Sequence, residues 1–171
     1  MLAYSYGMSA RAPHGKVRPL LEAHAKACFD AGPAACQLIQ SQIDAEDDQS
    51  VSGSLQLRAE PKWLAGFRQR IPADVKAAGG RITAENVSTE DLTESIRDWD
   101  AQLKAKTALR DRIKAMLERR EGSLADALQA EQALAEVQAQ IDELNAALAQ
   151  ARTRIRMSSL TVSYESEATA P

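Results

Sequence analysis

Aromatic side chains are scarce in this 171-residue chain: two Trp, three Tyr and two Phe. The periodic ones fall on inward-facing positions, which leaves no stacking platform for nucleobases. Positive charge is not in surplus either, with 21 Lys and Arg against 24 Asp and Glu and a net charge of −3. A basic surface for nucleic acid or anionic lipid is therefore not expected. The local run Arg110, Arg112, Lys114, Arg119 and Arg120 is interleaved with acids, the pattern of a solvated helix face. No apolar run approaches the ~20 residues of a membrane span, and no basic-then-apolar leader is legible at the N-terminus. The sequence starts in strand-like Leu2-Ala3-Tyr4-Ser5-Tyr6 and stops in polar Ser166-Glu167-Ala168-Thr169-Ala170-Pro171. That points to an ectodomain excised from its targeting and anchoring segments. At 44% hydrophobic and 26% charged, the composition is that of a folded domain with its own core.

Residues for chemistry are equally sparse. There are two histidines, His14 and His24, and two cysteines, Cys28 and Cys36. Nucleophilic catalysis needs a Ser or Cys within reach of a base oriented by a third group, and neither histidine has such a context. His24 lies near the apolar stripe of a helix, where a packed core residue is the expectation. Gly79-Gly80 is a turn rather than a phosphate-binding loop. The acidic Glu46-Asp47-Asp48-Gln49-Ser50 lacks the alternating ligands and terminal glutamate of a calcium loop, and reads as a hairpin turn. Carboxylate pairs such as Asp98 with Asp100 and Asp142 with Glu143 suit the charged flanks of a coiled coil. No catalytic residue, cofactor-binding residue or metal ligand is expected. Cys28 and Cys36 frame Gly32-Pro33, which reverses the chain and brings them together. A disulfide is expected over a buried reduced pair, and with it an oxidising compartment.

Leu2, Tyr4, Tyr6, Met8 and Ala10 alternate with polar or small neighbours, as in a half-buried strand. Pro13 ends it, and Pro19 is placed in the first turn of a helix carrying Val17, Leu20, Leu21, Ala25 and Cys28 up to Gly32. A strand from Cys36 to Ala45 follows, then the acidic turn. A third strand sets Val51, Gly53, Leu55, Leu57 and Ala59 against the core. Pro61 opens a second helix that buries Trp63, Leu64, Phe67 and Ile71, and Arg81 to Ser88 forms a fourth strand. Two strand–helix–strand units joined by a hairpin predict a ferredoxin-like split β-α-β antiparallel sheet with both helices on one face.

From Thr89 the period becomes helical. Leu92, Ile96, Trp99, Leu103, Leu109, Ile113 and Met116 form one stripe. Leu134, Val137, Ile141, Leu144, Leu148, Ala151 and Ile155 form a heptad seam. Between them Gly122 suits a helix C′ position and Ser123 an N-cap reciprocated by Asp126. Two stripes around one turn predict a long antiparallel coiled-coil hairpin, inserted before a final strand around Leu160, Val162 and Tyr164. The domains expected are residues 1–88 with 157–166 as the sheet, 89–156 as the hairpin extending from it, and 167–171 as a tail.

Glu90-Asp91-Leu92-Thr93-Glu94-Ser95-Ile96-Arg97-Asp98-Trp99-Asp100-Ala101-Gln102-Leu103 resembles the "DVT…yvDLeaRL" signature of the bacterial family called domain of unknown function 4349. Ala133 to Asp142 is similar to its "eL..vr.eIe" stretch, and Ser158 to Tyr164 to its "sTi.v.l" closing strand. Arg97 stands where the family has an aromatic residue, Trp99 where it has leucine and Gln102 where it has arginine. The resemblance implies an extracytoplasmic domain, tethered as a lipoprotein or by a membrane helix, in a family without a settled activity. The expectation is a non-enzymatic interaction or sensing module of the cell envelope that meets an unidentified protein partner. The alternative is a periplasmic adaptor that oligomerises through its hairpin. Glu118, Arg119, Arg120 and Glu121 at the hairpin tip are the candidate partner contact, against the simpler reading that the arginines solubilise a helix end and favour its dipole.

Overall fold

Strict alternation and a β-branched or leucine-rich inner face make the strands, and the 3.6-residue stripes make the helices. In the computed structural model, which describes residues 1–119 and 122–167, the elements follow in order. They are β1 (Leu2–Ala12), α1 (His14–Ala31), β2 (Cys36–Ala45), β3 (Val51–Ala59), α2 (Pro61–Ala77), β4 (Arg81–Asp91), α3 (Thr93–Glu118), α4 (Leu124–Arg156) and β5 (Ser158–Ser166). They fall into two compact units: Met1 with Asp91–Thr153, and Leu2–Glu90 with the chain from Arg154 onward.

The sheet unit is α+β, with strand order β2-β3-β5-β1-β4. β2 and β3 form an antiparallel hairpin. Its turn is closed by Asp47, whose carboxylate accepts the backbone N–H groups of Gln49 and Ser50 at 2.8 and 2.7 Å. β5 pairs antiparallel with β3, Val162 opposite Leu55, and parallel with β1, Val162 opposite Met8. β4 runs beside β1 in the opposite sense. Thr83 meets Ser9 through a 3.2 Å hydrogen bond, Asn86 lies over Gly7, and Gly80 abuts Ala12.

The expected all-antiparallel sheet is thus corrected to a mixed one. β1 and β3 point in opposite directions, so a strand placed between them must run parallel to one and antiparallel to the other. β5 fills that place with a fully buried inward row: Leu160 and Val162 are 0% and Tyr164 1% exposed. Fully buried side chains of this size contribute about 1.5–3 kcal/mol each.

One sheet face carries Met8, Ala10, Leu55, Leu57, Leu160 and Val162 and packs in one core with Val17, Leu20 and Leu21 of α1 and Leu64, Phe67, Ile71 and Val75 of α2. The other face is small and polar. Its cross-strand rows read Gln42–Ser54–Ser163–Ser9 and Gln40–Gln56–Thr161–Gly7.

Apolar side chains at the sheet's margins reach water. Leu38 and Ile39 on the edge strand β2, Val87 on the edge strand β4, and Leu2 and Tyr4 at the start of β1 are all exposed. An edge strand has a neighbour on one side only, so alternation there does not secure burial. Pro19 lies inside α1, which starts earlier than expected, and β4 continues to Asp91, so that α3 begins at Thr93 rather than Thr89.

Cys28 and Cys36 are joined, with Cα atoms 5.2 Å apart. Gly32 at φ +83° turns the chain between them, and Cys36 N–H donates to the Gly32 carbonyl at 2.9 Å. Closing so short a loop stabilises by about 2–3 kcal/mol in the chain-entropy account.

In the helical unit, Ile113 packs with Val137 and Ile141, surrounded by Leu103, Leu109, Leu117, Ala130, Ala133 and Leu134. The helices run in opposite directions: Leu117 shares a cleft with Ala130, Lys106 shares one with Gln140, and Asp100 lies 3.7 Å from Arg152. Met116, expected on the seam, is 50% exposed, because Leu117, four residues after Ile113, takes the packed position in its place.

Candidate functional site

The turn from α3 to α4 is built by a few local rules. Gly122 sits at φ +89°, a conformation that L side chains avoid. A Cβ there would also come within 2.7 Å of the Asp126 carboxylate. Ser123 and Asp126 cap α4 reciprocally: Asp126 N–H donates to Ser123 Oγ at 3.2 Å, and Ser123 N–H to Asp126 Oδ2 at 3.1 Å. Of the four residues proposed as a partner contact, Glu118 and Arg119 are exposed, and Arg120 and Glu121 lie outside the described residues. Arg119 Nε donates to the Ala115 carbonyl at 3.3 Å, so part of its guanidinium already serves the end of α3.

An apolar patch that the seam's periodicity does not mark lies beside this turn. Met116, Leu124 and Leu128 are 50, 78 and 54% exposed, and a cleft of about 250 Å³ runs between Met116, Leu117, Leu124 and Ala130. Leu124 and Leu128, four residues apart, share a helix face that precedes the seam starting at Leu134. That spacing was the available signal.

Charge divides sharply between the two helices. From Ala101 to Arg119, α3 carries six cations against two anions, Asp111 and Glu118. From Leu124 to Ala151, α4 carries five acids and no base. Among the described residues, Lys104, Arg112 and Lys114 form no ion pair, and neither do Glu131, Glu136 and Glu143. The bridges in this unit's helices are Arg110 with Asp111 and Arg152 with Asp100. Opposite charges on neighbouring helices thus face outward, unpaired.

The sheet unit holds one titratable cluster. His24 is 3% and Tyr164 1% exposed. His24 Nδ1 lies 2.6 Å from the Tyr164 hydroxyl, and Nε2 3.0 Å from Asp74 Oδ2. A carboxylate only accepts, so Nε2–H donates to Asp74, and Nδ1 of the neutral ring accepts from the tyrosine O–H. Burial depresses the His24 pKa against the pull of Asp74, with Arg70 lowering it further. Burial first, then Asp74, raises that of Tyr164. Both ring nitrogens of His24 and the Tyr164 hydroxyl have a partner and both rings are closed to solutes, so the cluster acts as a clamp tying α1 and α2 to β5.

A group whose pKa is lowered on folding destabilises as it charges. The stabilisation is complete above the ordinary imidazole value near 6.5 and is lost as pH falls below it. The slope is at most about 1.4 kcal/mol per pH unit. Urea denaturation between pH 7.5 and 5.5 should therefore show falling stability in the native protein and a flatter profile in His24→Gln. Identical profiles would remove His24 as the cause.

Among the described residues, no group of His, Cys, Asp and Glu is placed to hold a metal ion. Among the same residues, no helix is long and apolar enough to cross a membrane. Compared with known proteins, residues 1–171 match the family described as Domain of unknown function (DUF4349). No curated protein and no solved structure matches.

Proposed function

We propose, from the premise that this chain belongs to the DUF4349 family, that it is a non-enzymatic interaction or sensing module of the extracytoplasmic space, tethered to a membrane in the full-length protein. The observation that carries this reading is the exposed apolar and charged surface of the helix pair around Met116, Leu124 and Leu128. A helix pair needs its inner seam buried, and nothing about that need calls for three large apolar side chains in water beside the turn. The heptad spacing of Val137, Ile141, Leu144 and Leu148 supports reading α3 and α4 as an antiparallel coiled-coil hairpin. The sheet is best described as a ferredoxin-like split β-α-β arrangement opened at its centre by β5. The Cys28–Cys36 disulfide supports an oxidising compartment, since such bonds seldom persist among cytosolic thiols.

Photo-cross-linking from an exposed position such as Glu118 in full-length protein within its native envelope tests the reading. A discrete adduct that disappears in a variant carrying Arg119→Ser, Leu124→Ser and Leu128→Ser is the expected result. Adducts unchanged by these substitutions would move the contact surface off the turn.

A further inference from the structure

We infer that the occupant of this surface is a second copy of the same chain, laid along the helix pair so that α3 of each copy faces α4 of the other. The inference rests on the proposed reading that the helix pair is the contact surface, and adds to it the identity of the partner. Three observations combine.

The first is the apolar patch. Met116 comes from the end of α3, and Leu124 and Leu128 from the start of α4. A patch of this kind amounts to a few hundred Å², whereas a stable interface buries at least about 1,200 Å². An occupant that meets the patch alone is too small, so it must continue along the helices. At 26 and 33 residues, α3 and α4 are roughly 40 and 50 Å long, which supplies the missing area.

The second observation is the sign of charge along that length. The occupant must offer acids to α3, where Lys104 and Arg112, on the side of Met116, form no ion pair among the described residues, and bases to α4, where Glu131 and Asp142, on the side of Leu124 and Leu128, form none. The chain's own α4 and α3 are two such surfaces, of matching length and joined in the required order.

The third is symmetry. A twofold axis brings α3 onto α4′ and α4 onto α3′ in one operation, so both charge sets are satisfied by a self-complementary contact. A parallel stacking of α3 on α3′ would instead oppose cation to cation.

Charge reversal separates this arrangement from others. One variant reverses α3 (Lys104→Glu, Arg112→Glu) and another reverses α4 (Glu131→Lys, Asp142→Lys). All four positions are exposed and none lies in the seam, so circular dichroism should report unchanged helix in both. In sedimentation velocity over a concentration series, the native chain should dimerise and dissociate as salt is raised. Each variant alone should be monomeric, and an equimolar mixture of the two should recover the dimer, because reversed α3 then meets reversed α4. A native chain that stays monomeric at every concentration overturns the inference, as does a dimer that survives both reversals. If either variant loses helix, Leu124→Ser with Leu128→Ser replaces it, and a dimer undiminished by that pair also overturns the inference. The envelope cross-link stands apart from these results: a monomeric chain with a discrete, turn-dependent adduct keeps the interaction reading and loses only the second copy.

Discussion

A chain ended at Arg156 should retain helix but fail to form a cooperative sheet. The deletion removes β5, which lies between β3 and β1. Leu160, Val162 and Tyr164 leave the core together. At about 1.5–3 kcal/mol for each large buried side chain, their loss alone is comparable to the 5–15 kcal/mol that holds an ordinary domain folded. Two ladders of backbone hydrogen bonds go with them, along with the tyrosine that satisfies His24. The remaining β1–β4 and β2–β3 pairs share no edge, and an isolated two-stranded ribbon is marginal in water. Thermal melting followed by near-ultraviolet dichroism should show no cooperative transition from the aromatic core. A transition at the native temperature would mean that β5 is dispensable, and that the sheet's strength lies elsewhere.

The second large effect belongs to the helix pair. Ile141 is 3% exposed and packs with Ile113 and Val137. Ile141→Asp places a carboxylate in this seam with no cation beside it, and an unpaired buried charge costs on the order of 3–5 kcal/mol. The pair should open, with a drop in helical dichroism at 222 nm, while Cys28–Cys36 and the α1–α2 core remain. Ile141→Val, which removes one methylene, should cost only about 0.5–1.5 kcal/mol. Unchanged helical signal and melting temperature in the aspartate variant would refute the packed seam.

Local rules were legible in the sequence. The Ser123–Asp126 cap, the positive φ at Gly122, the disulfide across Gly32-Pro33 and the inward row Leu55, Leu57, Ala59 all depend on residues a few positions apart. Position in the sheet was not legible. Alternation tells which face of a strand is apolar, yet not which strand stands next to it, and Met8 meets Val162 across more than 150 residues of chain. Edge placement followed the same limit: Leu38, Ile39 and Val87 are apolar strand residues, and nothing in their spacing tells that they stand in water. His24 was expected to pack in the core and does. Its partners Asp74 and Tyr164 come from α2 and β5, and no spacing within α1 could name them. At the α3–α4 turn, Leu124 and Leu128 carry helical spacing, and which way their shared face turns depends on the seam partners.

The position of β5 also sets a timetable. A ribosome completes β3 at Ala59 and reaches the end of β5 only at Ser166, about 100 residues later. At about 5–20 residues per second, that interval is roughly 5–20 s. From the end of β4 at Asp91 onward the growing chain has two strand pairs on either side of an unfilled slot, each with an apolar inner face and a free edge. Hairpins form in microseconds and helices faster still, so the flanking pieces wait, ready-made, on the last strand. A chaperone that shields open strand edges, or an export route that keeps the chain unfolded until synthesis ends, would spare this protein an exposure that its own folding cannot shorten.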